Sequence, residues 1–171
     1  MSKWYESEKC SEGIIISSRV RLARNLKKYS FHNKLSNTDA EKMINEVKDS
    51  IMGSRTVFGE QFKYIPVNTL SENEKFALVE KHVISPELMR SSKPCGVLVK
   101  DDETISVMLN EEDHIRIQAI APGDDIDTAF DLADKIDDLI EESVEYAFSE
   151  KYGYLTFNRS LLISNTTAIR R

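Results

Sequence analysis

The run NEEDHIRI, residues 110–117, gathers three carboxylates, a histidine and an arginine between apolar flanks. In a straight strand, Glu112, His114 and Arg116 lie on one face and the isoleucines on the other. At a rise of about 3.3 Å per residue, Glu112 and Arg116 are about 13 Å apart, too far for a direct ion pair. They could then contact two ends of one long ligand, Arg116 at an anionic end and Glu112 at a cationic end. A solvent-facing edge strand that uses charge against aggregation explains the pattern equally well.

A second charged run, SSRVRLARN at residues 17–25, places three arginines within six residues. Arg19 and Arg21 share a face of an extended chain, about 7 Å apart, where two guanidinium groups can clamp an oligo-anion. The hydroxyls of Ser17 and Ser18 could add hydrogen-bond donors. The alternative is a solvated strand whose arginines pair with the many carboxylates of the chain, and this run alone does not decide between the two.

Three further residues carry reactive groups in a weaker sequence context. His82 closes a predicted helix, where a histidine complements the helix dipole without any further role. Cys10 and Cys95 match no metal-binding or redox spacing, which predicts reduced thiols. The sequence therefore offers no candidate set of metal ligands.

The bulk composition is typical of a soluble globular protein with one domain. The chain has 171 residues, of which 40% are hydrophobic and 30% charged, and its net charge is −6. This charge argues against broad binding to nucleic acid or to anionic membranes. The N-terminus has no apolar signal core, and no apolar stretch approaches the length of a membrane span. We therefore expect a cytoplasmic protein.

Both charged runs lie within an alternation of strand and helix patterns. A first strand begins at Ile14 and runs into the arginines, and Pro122-Gly123 ends the strand that contains NEEDHIRI. Capping boxes at Thr38 and Ser71 each open a helix, and Gly153 is the predicted cap of the last helix. The order strand, helix, helix, three strands, helix predicts an α+β fold, a largely antiparallel sheet flanked by helices. The predicted helices are 38–51, 71–82 and 126–152, and the predicted later strands are 56–65, a hairpin over 97–109, and 112–120.

Taken together, SSRVRLARN and NEEDHIRIQ, about 85 residues apart, resemble two segments of the phosphagen (guanidino) kinase family. KHVISPEL and EKYGYLT are similar, in the same order, to segments of the bacterial protein arginine kinases of that family. The resemblance covers residues 13–156, and it implies the N-terminal part of a phosphagen kinase catalytic domain with a glutamine-synthetase-like fold. Residues 1–12 form a polar segment before it, without the extra helical domain of the animal members.

The resemblance implies transfer of the γ-phosphate of ATP to arginine side chains of proteins, with Mg²⁺ held mainly through the nucleotide. Glu112 matches the carboxylate that holds the substrate guanidinium. A fixed carboxylate can align this group and share its proton, whose pKa lies above about 12. Glu111, Asp113 and Arg24 are candidates for a supporting role. The residues that match nucleotide-binding positions of the family are Ser17, Ser18, Arg19, Val20, Arg21, His82 and Arg116.

After Thr156 the sequence departs from the family pattern. The family continues with a Pro-Thr-Asn-x-Gly segment and further phosphate-binding arginines, whereas residues 157–171 read FNRSLLISNTTAIRR. We therefore predict an unrelated tail, for which a truncated or frameshifted reading frame is the simplest explanation. Half of the phosphate clamp would then be missing, and the sheet would keep an open edge that allows self-association. The alternative function is that of a non-catalytic remnant or regulator that binds a nucleotide or phosphoarginine.

Overall fold

The structure is a computed structural model that describes residues 2–10, 14–54, 59–157 and 167–170. It confirms an α+β fold with a largely antiparallel sheet flanked by helices. Residues 55–58, where the strand predicted over 56–65 begins, and most of the predicted tail lie outside the described residues. The helices are α1 (Asn37–Met52), α2 (Glu72–Glu80), α3 (Pro86–Met89) and α4 (Ile126–Glu141). The strands are β1 (Ile15–Arg24), β2 (Phe62–Pro66), β3 (Gly96–Lys100), β4 (Ile105–Leu109), β5 (Ile115–Pro122), β6 (Phe148–Ser149), β7 (Gly153–Tyr154) and β8 (Thr167–Arg170).

The main sheet has the strand order β2-β3-β4-β5-β1-β8, and every neighbouring pair is antiparallel. Strand β5 lies inside this sheet, between β4 and β1, so the edge-strand interpretation of NEEDHIRI is wrong. Strand β8 pairs with β1 from Ile15 to Arg19. Beyond that point, along Val20–Arg24, the described residues place no further strand on this side of β1. On this side the sheet of the described residues therefore ends in β8 along Ile15–Arg19 and in β1 itself along Val20–Arg24, so an open edge remains.

One face of the sheet packs against α1 and α4 and forms the larger apolar core. Val20 and Ile117 point from the sheet into this core, where they meet Met43 of α1 and Ile136 of α4. Apolar residues at helical spacing produce the buried stripes of both helices. The capping box predicted at Thr38 is wrong: the N-cap of α1 is Ser36, whose Oγ accepts the amide of Asp39, so the helix begins one residue earlier than predicted.

The opposite face is covered over only part of its width. Val83, Ile84 and Leu88, from α3 and the residues before it, pack on Val97 and Met108 of β3 and β4. Among the described residues this apolar cluster includes none from β5 or β1; the short turn Trp4–Glu6 contacts β5, and the turn Glu8–Cys10 contacts β1. The predicted capping box at the start of α2 is confirmed, with Ser71 and Glu74 bonding reciprocally.

Helix α4 ends at Glu141, so its predicted extension to residue 152 is wrong. The apolar spacing continues past Glu141, but the backbone of the following residues pairs with the end of β1 instead. Lys27 donates its amide to the carbonyl of Glu145, and the amide of Ala147 donates to Asn25. Gly153 is not a helix cap; it has a φ of 72° in the tight hairpin between β6 and β7. No helix among the described residues is long and apolar enough to cross a bilayer.

Candidate active site

The acidic part of NEEDHIRI forms the turn between β4 and β5, not the start of a strand. Asn110 has a φ of 62°, its amide donates to the carbonyl of His114 at 2.9 Å, and the amide of Glu111 donates to Asp113 at 3.1 Å. Because the chain folds back here, the strand alternation predicted for Glu112, His114 and Arg116 does not apply. The predicted separation of about 13 Å is also wrong, since Glu112 Oε2 lies 3.2 Å from Arg116 Nη2.

Arg116 is the common partner of the three carboxylates in this turn. Its guanidinium contacts the carboxylate of Glu111, lies 3.2 Å from that of Glu112 and lies 3.9 Å from that of Asp113. Glu111 and Asp113 are 4% and 0% exposed, and burial raises the pKa of Glu111 although Arg116 opposes that shift. A buried carboxylate is tolerated only with such a partner. The Glu112 side chain is 41% exposed and is therefore the member that can reach a ligand.

Neutral side chains from two other segments fix the orientation of this turn. Ser85, the N-cap of α3, accepts the amide of Leu88 at 3.0 Å and donates its hydroxyl to the carboxylate of Glu111. Asn25, just after β1, donates to Asp113 at 2.6 Å and accepts the amide of His114 at 2.9 Å. The turn is thus rigidly held while the carboxylate of Glu112 stays accessible.

His114 is a structural residue. It is fully buried, its Nδ1 accepts the amide of Leu26 at 3.0 Å, and its Nε2 lies 2.9 Å from the carbonyl of Ser30. Because a carbonyl only accepts, Nε2 must carry the proton and the ring is neutral. Burial lowers the pKa of His114, which agrees with a neutral imidazole.

Arg19 and Arg21 lie along β1, on the face of the sheet that carries Arg116. Arg19 is paired with Ile120 of β5, and Arg21 with Gln118. Their side chains therefore lie on the same side of the sheet as Arg116, which confirms the predicted common face. Neither forms an ion pair with any described carboxylate, and the Nε of each is buried without a hydrogen-bond partner. Burial lowers the pKa of both guanidinium groups, and a like charge lowers it further: Arg21 for Arg19, and Arg116 for Arg21. At Arg21 the charges of Glu111 and Glu87 oppose this shift in pKa. We call Arg19, Arg21 and Arg116 the arginine row.

The structure separates the remaining predicted residues of β1 into two groups. Ser17 lies two residues before Arg19 in β1, so its side chain is on the same face as the arginine row. Its buried Oγ has no hydrogen-bond partner among the described residues. The side chains of Ser18 and Val20 turn to the other face. Val20 is part of the larger core, and the Ser18 hydroxyl bonds the carbonyl of Gly123 and the amide of Asp125. These two therefore offer only their backbone to a ligand on the arginine face.

Arg24, a predicted supporting residue, belongs to a closed structural cluster instead. Its guanidinium pairs with Asp137 of α4 and lies 3.9 Å from the ring centroid of Tyr154. Tyr146 donates its hydroxyl to Asp137 at 2.9 Å. Burial raises the pKa of the Asp137 carboxyl and of the Tyr146 phenol. This cluster ties β1 to α4 and to the β6–β7 hairpin, away from the arginine row.

His82 lies in the turn that follows α2, with an exposed side chain and a φ of 59°. Its carbonyl accepts a hydrogen bond from the side-chain amide of Gln118. The turn is thus attached to β5 two residues beyond Arg116. The structure therefore connects His82 with the arginine row through a neighbour that the sequence did not single out.

A cavity of about 390 Å³ opens beside Glu112. It adds Glu87 and Arg90 of the α3 segment to the predicted residues, and Phe157 borders it while donating its amide to Asp113 at 2.7 Å. Two of the residues that the sequence analysis missed had a recognisable signal. Ser85 precedes Pro86, which is a common N-cap pattern, and Gln118 is a polar residue within an apolar strand. Asn25 and Glu87 had no such signal. The cavity is lined by His32, Asn33, Glu87, Arg90, Ser91, Glu111, Glu112 and Phe157.

Solved structures of guanidino kinases share this fold. The substrate-free duplicated taurocyamine kinase from Schistosoma mansoni superposes with a TM-score of 0.77 at 21% identity, over 90% of this chain and 23% of that chain. Lombricine kinase gives a TM-score of 0.72 at 16% identity, over 85% of this chain and 44% of that chain. At these identities the likeness concerns the fold alone.

Sequence relatives define the family. The profile of the ATP:guanido phosphotransferase C-terminal catalytic domain matches residues 42–165, more than half of the chain. The protein-arginine kinase of Caldanaerobacter subterraneus is 48% identical over 143 residues, which are 84% of this chain and 42% of the relative. That of Clostridium kluyveri is 43% identical over 157 residues, 91% of this chain and 45% of the relative. The chain belongs to the ATP:guanido phosphotransferase family, and it spans less than half the length of these relatives.

Proposed function

We propose that the protein is, or is part of, an ATP:guanidino phosphotransferase that phosphorylates arginine side chains of proteins. The observation that carries this proposal is the arginine row, because two half-buried cations without an ion pair to any described carboxylate share a sheet face with Arg116, which contacts the accessible carboxylate of Glu112. Unpaired guanidinium groups on one face suit the phosphates of a nucleotide. The curated relatives named protein-arginine kinase support a protein arginine as the acceptor.

In this proposal the two ends of the site have different tasks. Arg19, Arg21 and Arg116 hold the phosphates and neutralise the charge of a loose transition state. Glu112 holds the acceptor guanidinium in line and takes up or shares its proton. The transfer forms a bond from a guanidinium nitrogen to the γ-phosphorus and breaks the bond from that phosphorus to the bridging oxygen of ADP. His82 contacts the nucleotide beyond the phosphates, while Ser17 adds a hydroxyl on the same face.

Mg²⁺ is proposed to bind through the nucleotide, where it would add positive charge between the phosphate oxygens. Among the described residues no group of three or more His, Cys, Asp or Glu side chains is placed to hold a metal ion. The buried Glu111 and Asp113 already accept hydrogen bonds from Ser85, Asn25 and the Phe157 amide. We propose that their task is to fix Glu112, and that the protein acts in the cytoplasm.

The test is transfer of acid-labile phosphate from Mg-ATP to an arginine-rich protein. Glu112→Gln should lower the rate at least about 100-fold, because it removes the group that orients and deprotonates the acceptor. Glu41→Gln, the same change on the exposed side of α1, is the matched control and should leave the rate unchanged. Equal rates for the Glu112→Gln and wild-type proteins would refute the role of Glu112. Calorimetric binding of ADP or phosphoarginine without any transfer would favour the non-catalytic alternative.

A further inference from the structure

Gln118 joins the arginine row to the turn that carries His82. Gln118 is 4% exposed on β5, shares the face of Arg116 and pairs in register with Arg21 of β1. Its Nε2 donates to the carbonyl of His82 and lies 3.5 Å from the Oγ of Ser106. Because a carbonyl only accepts, the amide nitrogen and not its oxygen must point at His82. A carboxylate of the same size at this position would repel that carbonyl.

The His82 turn needs an attachment of this kind. A histidine with a φ of 59° is in the left-handed region, which costs a residue with a Cβ roughly 1–2 kcal/mol. The amides of Val83 and Ile84 both converge on one acceptor, the carbonyl of Leu78, at 2.9 and 3.4 Å. That arrangement ends α2 and turns the His82 carbonyl towards the sheet. The bond from Gln118 is then the contact that fixes this carbonyl to β5.

The neighbouring ion pair is a weaker attachment. Lys81 Nζ lies 3.4 Å from Glu103 in the β3–β4 turn, with the lysine side chain 50% exposed. Exposed pairs of this kind are screened by solvent and contribute little. Val83 and Ile84 pack the chain after His82 on β3 and β4, and Gln118 adds a bond inside the protein that joins the turn to β5, the strand of Arg116.

We propose that Gln118 is a positioning residue for the nucleotide: it holds the His82 turn at a fixed distance from Arg21 and Arg116. The inference rests on the proposed function, because it requires His82 and the arginine row to contact the same nucleotide. A neutral amide suits this place, since it supplies the donor without adding charge beside three guanidinium groups. Gln118 thereby acts through His82 and does not itself contact the ligand.

The experiment is a double-mutant cycle on the affinity for Mg-ADP, measured by calorimetry. Gln118→Met keeps the length and removes the donor, and Gln118→Asn is a second, polar variant whose amide is too short to reach. His82→Asn removes the imidazole with a residue that tolerates a positive φ. One neutral hydrogen bond stabilises by about 1 kcal/mol, so Gln118→Met should weaken binding about fivefold. In the His82→Asn background the same change should cost less than about twofold, because the route through His82 is already lost.

A second measurement tests the attachment without any ligand. In Gln118→Met, amide hydrogen exchange at Val83 and Ile84 should be about fivefold faster than in the wild type. Ser106→Ala, which removes the more distant acceptor, is the control and should change neither exchange nor affinity. Equal losses of affinity in both backgrounds, or unchanged exchange in Gln118→Met, would overturn the role of Gln118. A folded wild type that binds no Mg-ADP would instead refute the proposed function, and this inference with it.

Discussion

Arg24 and Arg19 lie on the same strand and are both half-buried, but their guanidinium groups differ in whether they have a carboxylate partner. Arg24 is enclosed by Asp137 and the ring of Tyr154. Arg19 has no carboxylate partner among the described residues, and the charged group that shifts its pKa is another arginine, Arg21. Burial alone therefore does not distinguish the two. The difference teaches that a charge paired inside the protein contributes to the fold, whereas for the unpaired charge of Arg19 we propose a ligand as the partner.

The largest effect should come from opening the closed cluster. Arg24→Met leaves Asp137 as a buried carboxylate without its cation, so the free energy of unfolding should fall by about 3 kcal/mol. Urea unfolding measures this change. Arg19→Met is the matched variant on the same strand and should alter the unfolding free energy by less than about 0.5 kcal/mol, as is usual away from such features. Similar losses in both variants would remove the distinction between the two arginines.

A smaller effect, on binding and not on stability, is expected in the arginine row. Arg21→Gln should weaken Mg-ADP binding about tenfold, because a charged hydrogen bond contributes about 1.5 kcal/mol or more. Its free energy of unfolding should change by less than about 0.5 kcal/mol, because the substitution removes both the repulsion by Arg116 and the attraction by Glu111 and Glu87. Calorimetry and urea unfolding on the same sample give both values, with the exposed Lys28→Gln as the control. Unchanged affinity would mean that the arginine row does not hold phosphates.

The third prediction concerns how the stability of the fold depends on pH through His114, the buried histidine of NEEDHIRI. Burial lowers the pKa of His114 in the folded protein. Below about pH 6.5 the imidazole is therefore protonated in the unfolded chain, while in the folded protein it stays neutral to lower pH. Stability from this residue is therefore complete above pH 6.5 and declines as the pH falls, by up to about 1.4 kcal/mol per pH unit.

The measurement is the difference in unfolding free energy between wild type and His114→Gln from pH 8 to pH 5. Glutamine can accept from Leu26 and donate to Ser30, but it does not titrate. Glu111 and Asp137 act in the opposite direction, because burial raises their pKa values, but they are common to both proteins and cancel in the difference. Parallel pH profiles would show that His114 is not held neutral in the fold.

The fold was predictable from sequence where local patterns and tertiary contacts agree. The apolar stripes of α1 and α4, the Ser71 capping box and the hairpin of β3 and β4 are all present. The end of α4 was not predictable, because apolar spacing continues through Val144 and Ala147. Only the pairing of residues 145–147 with the end of β1, a long-range contact, ends the helix.

The candidate site was predictable as a set of residue types but not as a geometry. The resemblance selected Arg19, Arg21, Arg116 and Glu112. In the structure the three arginines lie on one face of the sheet, and Glu112 contacts Arg116 from the adjacent turn. Strand alternation failed at Glu112 because Asn110 adopts a left-handed conformation and starts a turn. The roles of these residues and the boundary at residue 156 remain predictions.

The arginine row also has a kinetic consequence. The chain as a whole carries a net charge of −6, so a nucleotide approaching from afar meets a molecule of its own sign. At physiological ionic strength, however, electrostatic potentials decay over about 8 Å, and close to β1 the guanidinium groups of Arg19 and Arg21, which form no ion pair with a described carboxylate, add local positive charge. If the protein binds a nucleotide as proposed, these two groups steer its diffusional capture although the protein as a whole is acidic. Added salt should slow association, although the net charges of the two partners repel each other.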